Sequence, residues 1–110
     1  MSIFEKWSAG MVNKDVNALN ALLHEDYTFV RHQTGSTMNK SQMTEILRGF
    51  MSNETINVHN HRCLYENEDV MVEHSVIDFP DGTKEAVLTF YTLQDGLLFR
   101  AETGATLIKE

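Results

Sequence analysis

The 110-residue chain is predicted to be α+β, with helices first and a curved, mainly antiparallel sheet after them. Apolar residues recur at three- and four-residue spacing through the first half, the period of amphipathic helices. From residue 55 onward, β-branched and aromatic runs alternate with short turn sequences, the pattern of a meander. No linker, low-complexity segment or internal repeat separates the halves, so a single domain spanning residues 1–110 is expected.

The elements follow in order. Phe4, Trp7 and Met11 form one stripe of a helix over residues 2–12, and Ser2 with Glu5 fits a capping box. Asn13 and Lys14 interrupt it, and Asp15 caps a second short helix whose apolar face is Val16, Leu19, Leu22 and Leu23. Residues 27–31 switch to strand-forming types, and the turn "QTGS" leads to a short return strand at residues 37–38. Asn39 caps a third helix over residues 40–51, with Met43, Ile46, Leu47 and Phe50 on its apolar face and Gly49 weakening its last turn. Strands are then expected at residues 55–66, 70–79, 84–94 and 97–108, joined by "NED", "PDG" and "DG" turns. Helices covering one face of such a sheet leave its alternate residues to face them.

Composition narrows the partners. With 16 acidic against 9 basic residues the net charge is −7, which disfavours nucleic acid, because phosphate binding needs clustered Lys and Arg. No apolar run approaches the roughly 20 residues of a membrane span. The start "MSIFEKWSAG" lacks the basic and apolar regions of a signal peptide, so a cytoplasmic protein is expected. Cys63 is the one cysteine, has no intramolecular disulfide partner, and is expected to pack as a thiol.

The segment "NKDVNALNALLHEDYTFVRHQTGSTMNKSQMTEIL" resembles the opening of the NTF2-like superfamily, also called SnoaL-like or ketosteroid-isomerase-like. The resemblance rests on Asp15, Ala18 and Leu22 in the short helix, Asp26 and Phe29 in the first strand, Gly35 in the turn, and Asp95-Gly96 followed by Leu98 near the end. The central "YTFVRHQTGSTMNKSQM" is most similar to small members whose first strand ends in His-x-x-Gly. The resemblance implies a cone whose open end receives a small, largely apolar molecule. It includes isomerases, dehydratases, cyclases, epoxide hydrolases and non-catalytic association domains, so the fold leaves the activity open. Ketosteroid isomerases hold a carboxylate base at the end of the first strand, where this chain has Arg31-His32, and a steroid-isomerase mechanism is therefore not expected.

Alternation over residues 70–79 groups Val70, Val72, His74, Val76 and Asp78, and this apolar set is expected to face the helices. His74 between two valines is the candidate general base, with Glu102 or Glu85 on neighbouring strands available to orient it. Tyr27, Phe29 and Arg31 share the parity that the resemblance turns inward. Arg31 is the candidate contact for a ligand anion or oxyanion, since an inward arginine needs an anionic partner, and Tyr91 is the candidate hydrogen-bond donor. Trp7, Met11, Tyr27, Phe29, Met51, Val72 and Val76 are the expected walls of the pocket. His59 and His61, two apart on one strand, would share a face, but no third ligand matches them and no metal is expected. No nucleotide-binding glycine loop or nucleophile elbow is present, and no cofactor is expected.

Two functions follow from these residues. One is an isomerase, cyclase or lyase type of enzyme with a histidine base acting on an unknown small molecule. The other is a non-catalytic ligand-binding or association domain, and in either case a homodimer through the outer face of the sheet is expected.

Overall fold

The computed structural model describes residues 2–108. Helix α1 (Ile3–Val12) opens with the capping box of Ser2 and Glu5. A second anchor comes from far along the chain: Glu66 Oε2 accepts from the amides of Ile3 and Phe4 at 3.0 and 3.5 Å. An acidic group there satisfies orphan amides and suits the positive end of the helix dipole. Lys14 turns the chain in the left-handed region, and the Asp15 side chain caps α2 (Val16–Ala21) by accepting from the Ala18 amide. The two helices meet closely at Gly10, where a Cβ would lie 2.6 Å from Leu19 Cδ2.

Strand β1 (Leu23–Arg31) starts four residues before the expected strand. The reason is tertiary: β6 (Leu97–Leu107) runs parallel beside it, pairing Leu23 with Leu98, and the Leu98 amide donates to Leu22 O at 2.9 Å. Leu22 and Leu23 therefore leave the second helix, and Leu23 becomes a buried strand residue. After the Gly35 turn, β2 (Ser36–Asn39) returns antiparallel on β1, and Asn39 with Gln42 forms the capping box of α3 (Lys40–Ser52). The antiparallel meander is then β3 (Asn57–Glu66), β4 (Val70–Asp78), β5 (Lys84–Gln94) and β6.

The sheet order is β2-β1-β6-β5-β4-β3, one parallel pair among antiparallel ones, with β2 and β3 as open edges. All three helices lie on one face. Trp7, Leu19, Leu23, Tyr27, Leu47, Met71, Tyr91, Leu98 and Ala101 form the buried core between them and the sheet.

Two departures from the sequence expectation matter for function. On β4 the residues turned to the helices are Met71, Glu73, Ser75 and Ile77, so Val72, His74 and Val76 point to the opposite face, a reversal of the expected parity. On β3 an extra residue interrupts the ladder: His59 pairs with Val76 and Arg62 with His74, leaving three steps on β3 against two on β4. Asn60 takes up the difference with φ of 54°. Such a bulge re-aims the side chains on either side of it. His59 consequently meets Asp78 on the outer face at 3.2 Å, while His61 meets Glu73 on the inner face. The two histidines do not share a face as their spacing suggested.

Candidate functional site

Between α1, α3 and the inner face of the sheet lies a cavity of about 300 Å³, within the range of small-molecule sites. Its walls are mainly apolar. Trp7 and Met11 come from α1, Met43, Leu47 and Phe50 from α3, and Phe29 and Met38 from the first hairpin.

The polar groups sit on the sheet. Glu73 is buried, and both of its carboxyl oxygens are used: Oε1 accepts from the Tyr91 hydroxyl at 2.8 Å, and Oε2 lies 2.8 Å from His61 Nε2. Phe4 packs against the His61 ring with centroids 4.8 Å apart, and Trp7 packs edge-on against Tyr91 at 6.2 Å. Apolar contacts of this kind hold both partners of the carboxyl in place. Burial, then the negative charge of Glu73, pushes the Tyr91 phenol well above its ordinary pKa, and the same two causes in the same order raise Tyr27. Tyr91 is thereby fixed as a donor. With Nε2 directed at Glu73, a neutral His61 carries its lone pair on Nδ1, and Nδ1 has no hydrogen-bond partner among the described residues.

Strand register extends the polar feature across the sheet. Glu73 pairs with Thr89, Thr89 with Thr103, and Thr103 with Arg31, one row spanning β4, β5, β6 and β1. Arg31 ends the row at the cavity rim. Its Nη2 donates to Gln33 Oε1 at 2.8 Å and lies 3.7 Å from Glu85 Oε1, and Glu85 Oε2 accepts from Gln33 Nε2 at 3.3 Å. The anionic neighbour that an inward arginine requires is thus Glu85, held at long range.

The expected site residues separate into three groups. Arg31, Tyr91, Trp7, Met11 and Phe29 border the cavity. Tyr27 lies within the core and Met51 packs against it, so neither is a cavity wall. His74, Val72 and Val76 lie on the outer face, where His74 sits opposite Leu88 and Arg62. The apolar alternation of β4 thus covers the outside of the sheet, while the inner parity is fixed by buried hydrogen bonds to Glu73. Neither expected partner reaches His74: Glu85 is at the rim, and Glu102 is tied to His32 Nε2 at 2.9 Å and to Arg100 Nε at 3.2 Å. Those two contacts, His32 first, hold the Glu102 carboxyl below the usual range. Cys63 is exposed rather than packed, and partial desolvation, then Glu66, raises its thiol pKa, which opposes thiolate reactivity.

The sequence reading missed His61, Glu73, Ser75, Thr89 and Thr103. One signal was available, because Asn tolerates positive φ better than other non-glycine residues, and an asparagine between two strand histidines marks a place where the period of two can break. Among the described residues, no three His, Cys, Asp or Glu side chains group as a metal site. No helix of the described residues is long and apolar enough to cross a membrane.

A family model for the SnoaL-like domain matches residues 4–101. No curated protein sequence matches the chain. An NTF2-like protein of unknown function from Mesorhizobium loti superposes with a TM-score of 0.83 at 13% identity, over 94% of this chain and 88% of that one. A steroid delta-isomerase from Pseudomonas aeruginosa gives a TM-score of 0.73 at 17% identity, over 94% and 77%. A protein with a ketosteroid isomerase-like fold from Catenulispora acidiphila, crystallised with trimethylamine, gives 0.71 at 20% identity, over 93% and 83%. At these identities the structures share the fold, and they carry no residue roles across. The family model spans most of the chain: the protein belongs to the SnoaL-like domain family, and its fold is that of the NTF2-like protein it superposes on.

Proposed function

We propose that the chain is a small-molecule enzyme of the isomerase, cyclase or lyase type, in which His61 removes a proton from a carbon next to a carbonyl. The observation that carries this reading is the Tyr91–Glu73–His61 chain, with Tyr91 and Glu73 buried and His61 half-buried, on the wall of an apolar cavity. Glu73 holds the imidazole in one tautomer and stabilises the imidazolium formed when His61 takes the proton. Tyr91 satisfies the other carboxyl oxygen, so Glu73 is a positioning residue whose own bonds are already made. Arg31 stands at the rim, at the far end of the strand row from His61, where its charge holds a polar or anionic group at the other end of the substrate. The histidine base assigned from sequence thus passes from His74 to His61.

The test needs no knowledge of the natural substrate. Small cyclic ketones such as cyclohexanone and 1-tetralone are incubated with the protein in D2O, and deuterium entry beside the carbonyl is followed by NMR. Exchange above the buffer rate is expected, falling by roughly 10²- to 10⁴-fold in His61→Ala. Binding without exchange would favour the non-catalytic alternative, and exchange unchanged in His61→Ala would remove His61 as the base.

The outer face supports a second, compatible reading. Leu88 and Phe90 are 46% and 42% exposed there, beside Val72 and Val76, and Arg62, Asp78, Arg100 and Glu102 bring both signs of charge to the same face. We propose that a second copy of the chain covers it, since a surface with both signs can complement itself across a two-fold axis. Light scattering of the wild type should give a dimer, and Leu88→Lys with Phe90→Lys a monomer. A monomeric wild type at working concentration refutes the pairing.

A further inference from the structure

Ser75, Thr89 and Thr103 line the cavity and are 8%, 5% and 8% exposed. None of their hydroxyls hydrogen-bonds to another described residue, yet no side-chain oxygen that is fully shut off lacks a partner. These oxygens therefore border the cavity space, and their hydrogen-bonding capacity is unspent. A threonine on a strand needs no functional explanation, and an ordinary one turns its hydroxyl to solvent or to a protein acceptor. Here three buried hydroxyls share one wall, with apolar side chains facing them from the helices. An unmatched buried hydroxyl is costly, so the group that occupies the cavity decides whether the cost is met.

We propose that Thr89 and Thr103, with Ser75 beside them, are the specificity residues of the pocket, and that they select amphipathic ring compounds carrying oxygen functions on one edge. This rests on the reading of the cavity as a small-molecule site and adds the ligand's polarity and orientation to it. The row Glu73–Thr89–Thr103–Arg31 runs straight across the sheet, so adjacent members stand one strand apart, about 4.8 Å. A flat ligand lies with its oxygen-bearing edge along this row and its apolar body against Met11, Leu47 and Phe50. Its reacting end is then next to His61, and the opposite end meets Arg31. A hydroxyl both donates and accepts, so the row takes carbonyl and hydroxyl oxygens alike.

The test compares naphthalene with naphthalene-1,3-diol, whose two oxygens lie on one edge, by fluorescence titration of the wild type and of Thr89→Val/Thr103→Val. Valine keeps the shape and removes only the hydroxyl. The wild type is expected to prefer the diol by at least about tenfold. In the double variant the preference should fall to about threefold or less with naphthalene binding undiminished, and Thr89→Ser/Thr103→Ser should restore it. Because no bond to the protein is lost, the valine variant should also melt no lower than the wild type. Should it fail to fold, the single Thr89→Val and Thr103→Val variants carry the same comparison. A preference for the diol that survives loss of both hydroxyls overturns the proposal while leaving the cavity reading intact. Failure of both probes to bind the wild type overturns the cavity reading and this inference together.

Discussion

Tyr91→Phe tests the central contact of the site through stability alone. The substitution keeps the ring that packs on Trp7 and removes the hydroxyl that donates to Glu73 Oε1 at 2.8 Å. A hydrogen bond to a charged group in a buried setting contributes about 1.5–3 kcal/mol, so a loss of about 2 kcal/mol is expected at pH 7. For a chain of this length the entropy of unfolding is about 0.23 kcal/mol/K, and the midpoint should fall by about 9 °C. Alkaline pH supplies a second readout of opposite sign. Tyr91 and Tyr27 have folded pKa values raised above their ordinary value of 10.0. Above pH 10 the unfolded chain therefore releases two phenolic protons that the native state keeps. Their contribution to stability is intact below pH 10 and is lost as pH rises, by about 1.4 kcal/mol per pH unit for each tyrosine. The variant lacks one of these groups, so its deficit should narrow from about 2 kcal/mol at pH 7 to about 0.6 kcal/mol at pH 11. Urea unfolding at both pH values, followed by circular dichroism, measures it. A variant as stable as the wild type at pH 7, or a deficit that does not shrink by pH 11, refutes the buried Tyr91–Glu73 bond.

Three further outcomes are expected. Gly10→Ala places a methyl against Leu19, which is fully buried and has little room to move, and should cost about 1–3 kcal/mol in chemical denaturation; a neutral result would mean that the two helices separate freely. Asn60→Val puts a β-branched residue at φ of 54° and should cost about 1–3 kcal/mol while moving the His61 imidazole resonances in NMR, whereas Asn60→Gly should leave those resonances in place; equal spectra for the two variants would show that the bulge does not aim His61. Glu66→Ala removes the distant cap on α1 and should lower stability by about 1 kcal/mol, with Glu66→Gln losing less because it keeps an acceptor; a larger loss in Gln than in Ala would argue against capping.

Much of the fold was legible because local chemistry and global architecture agree. Ser2, Asp15 and Asn39 each cap the helix they precede, and the turns around Asn67, Gly82 and Gly96 separate strands of the expected extent. These features act over three or four residues, a range that a one-dimensional pattern contains. The inward parity of Phe29 and Arg31 also followed, through the family register on β1.

What the sequence by itself determined was the class of fold, the order of its elements and the family they belong to. What only the tertiary structure decided was which side of each strand meets the helices. On β4 both parities are plausible by eye, one with valines around a histidine and the other with Met71, Glu73, Ser75 and Ile77. Hydrophobicity favoured the first. The second is the inner face because Glu73 finds Tyr91 from the next strand and His61 from the one on the other side, and two hydrogen bonds offset the burial of a carboxyl group. Those partners are 18 and 12 residues away in sequence, and one of them arrives inward only through the Asn60 bulge. A bulge of one residue exchanges the two faces of a strand, and that exchange brings His61 inward on β3, while the parity of β4 turns His74 out.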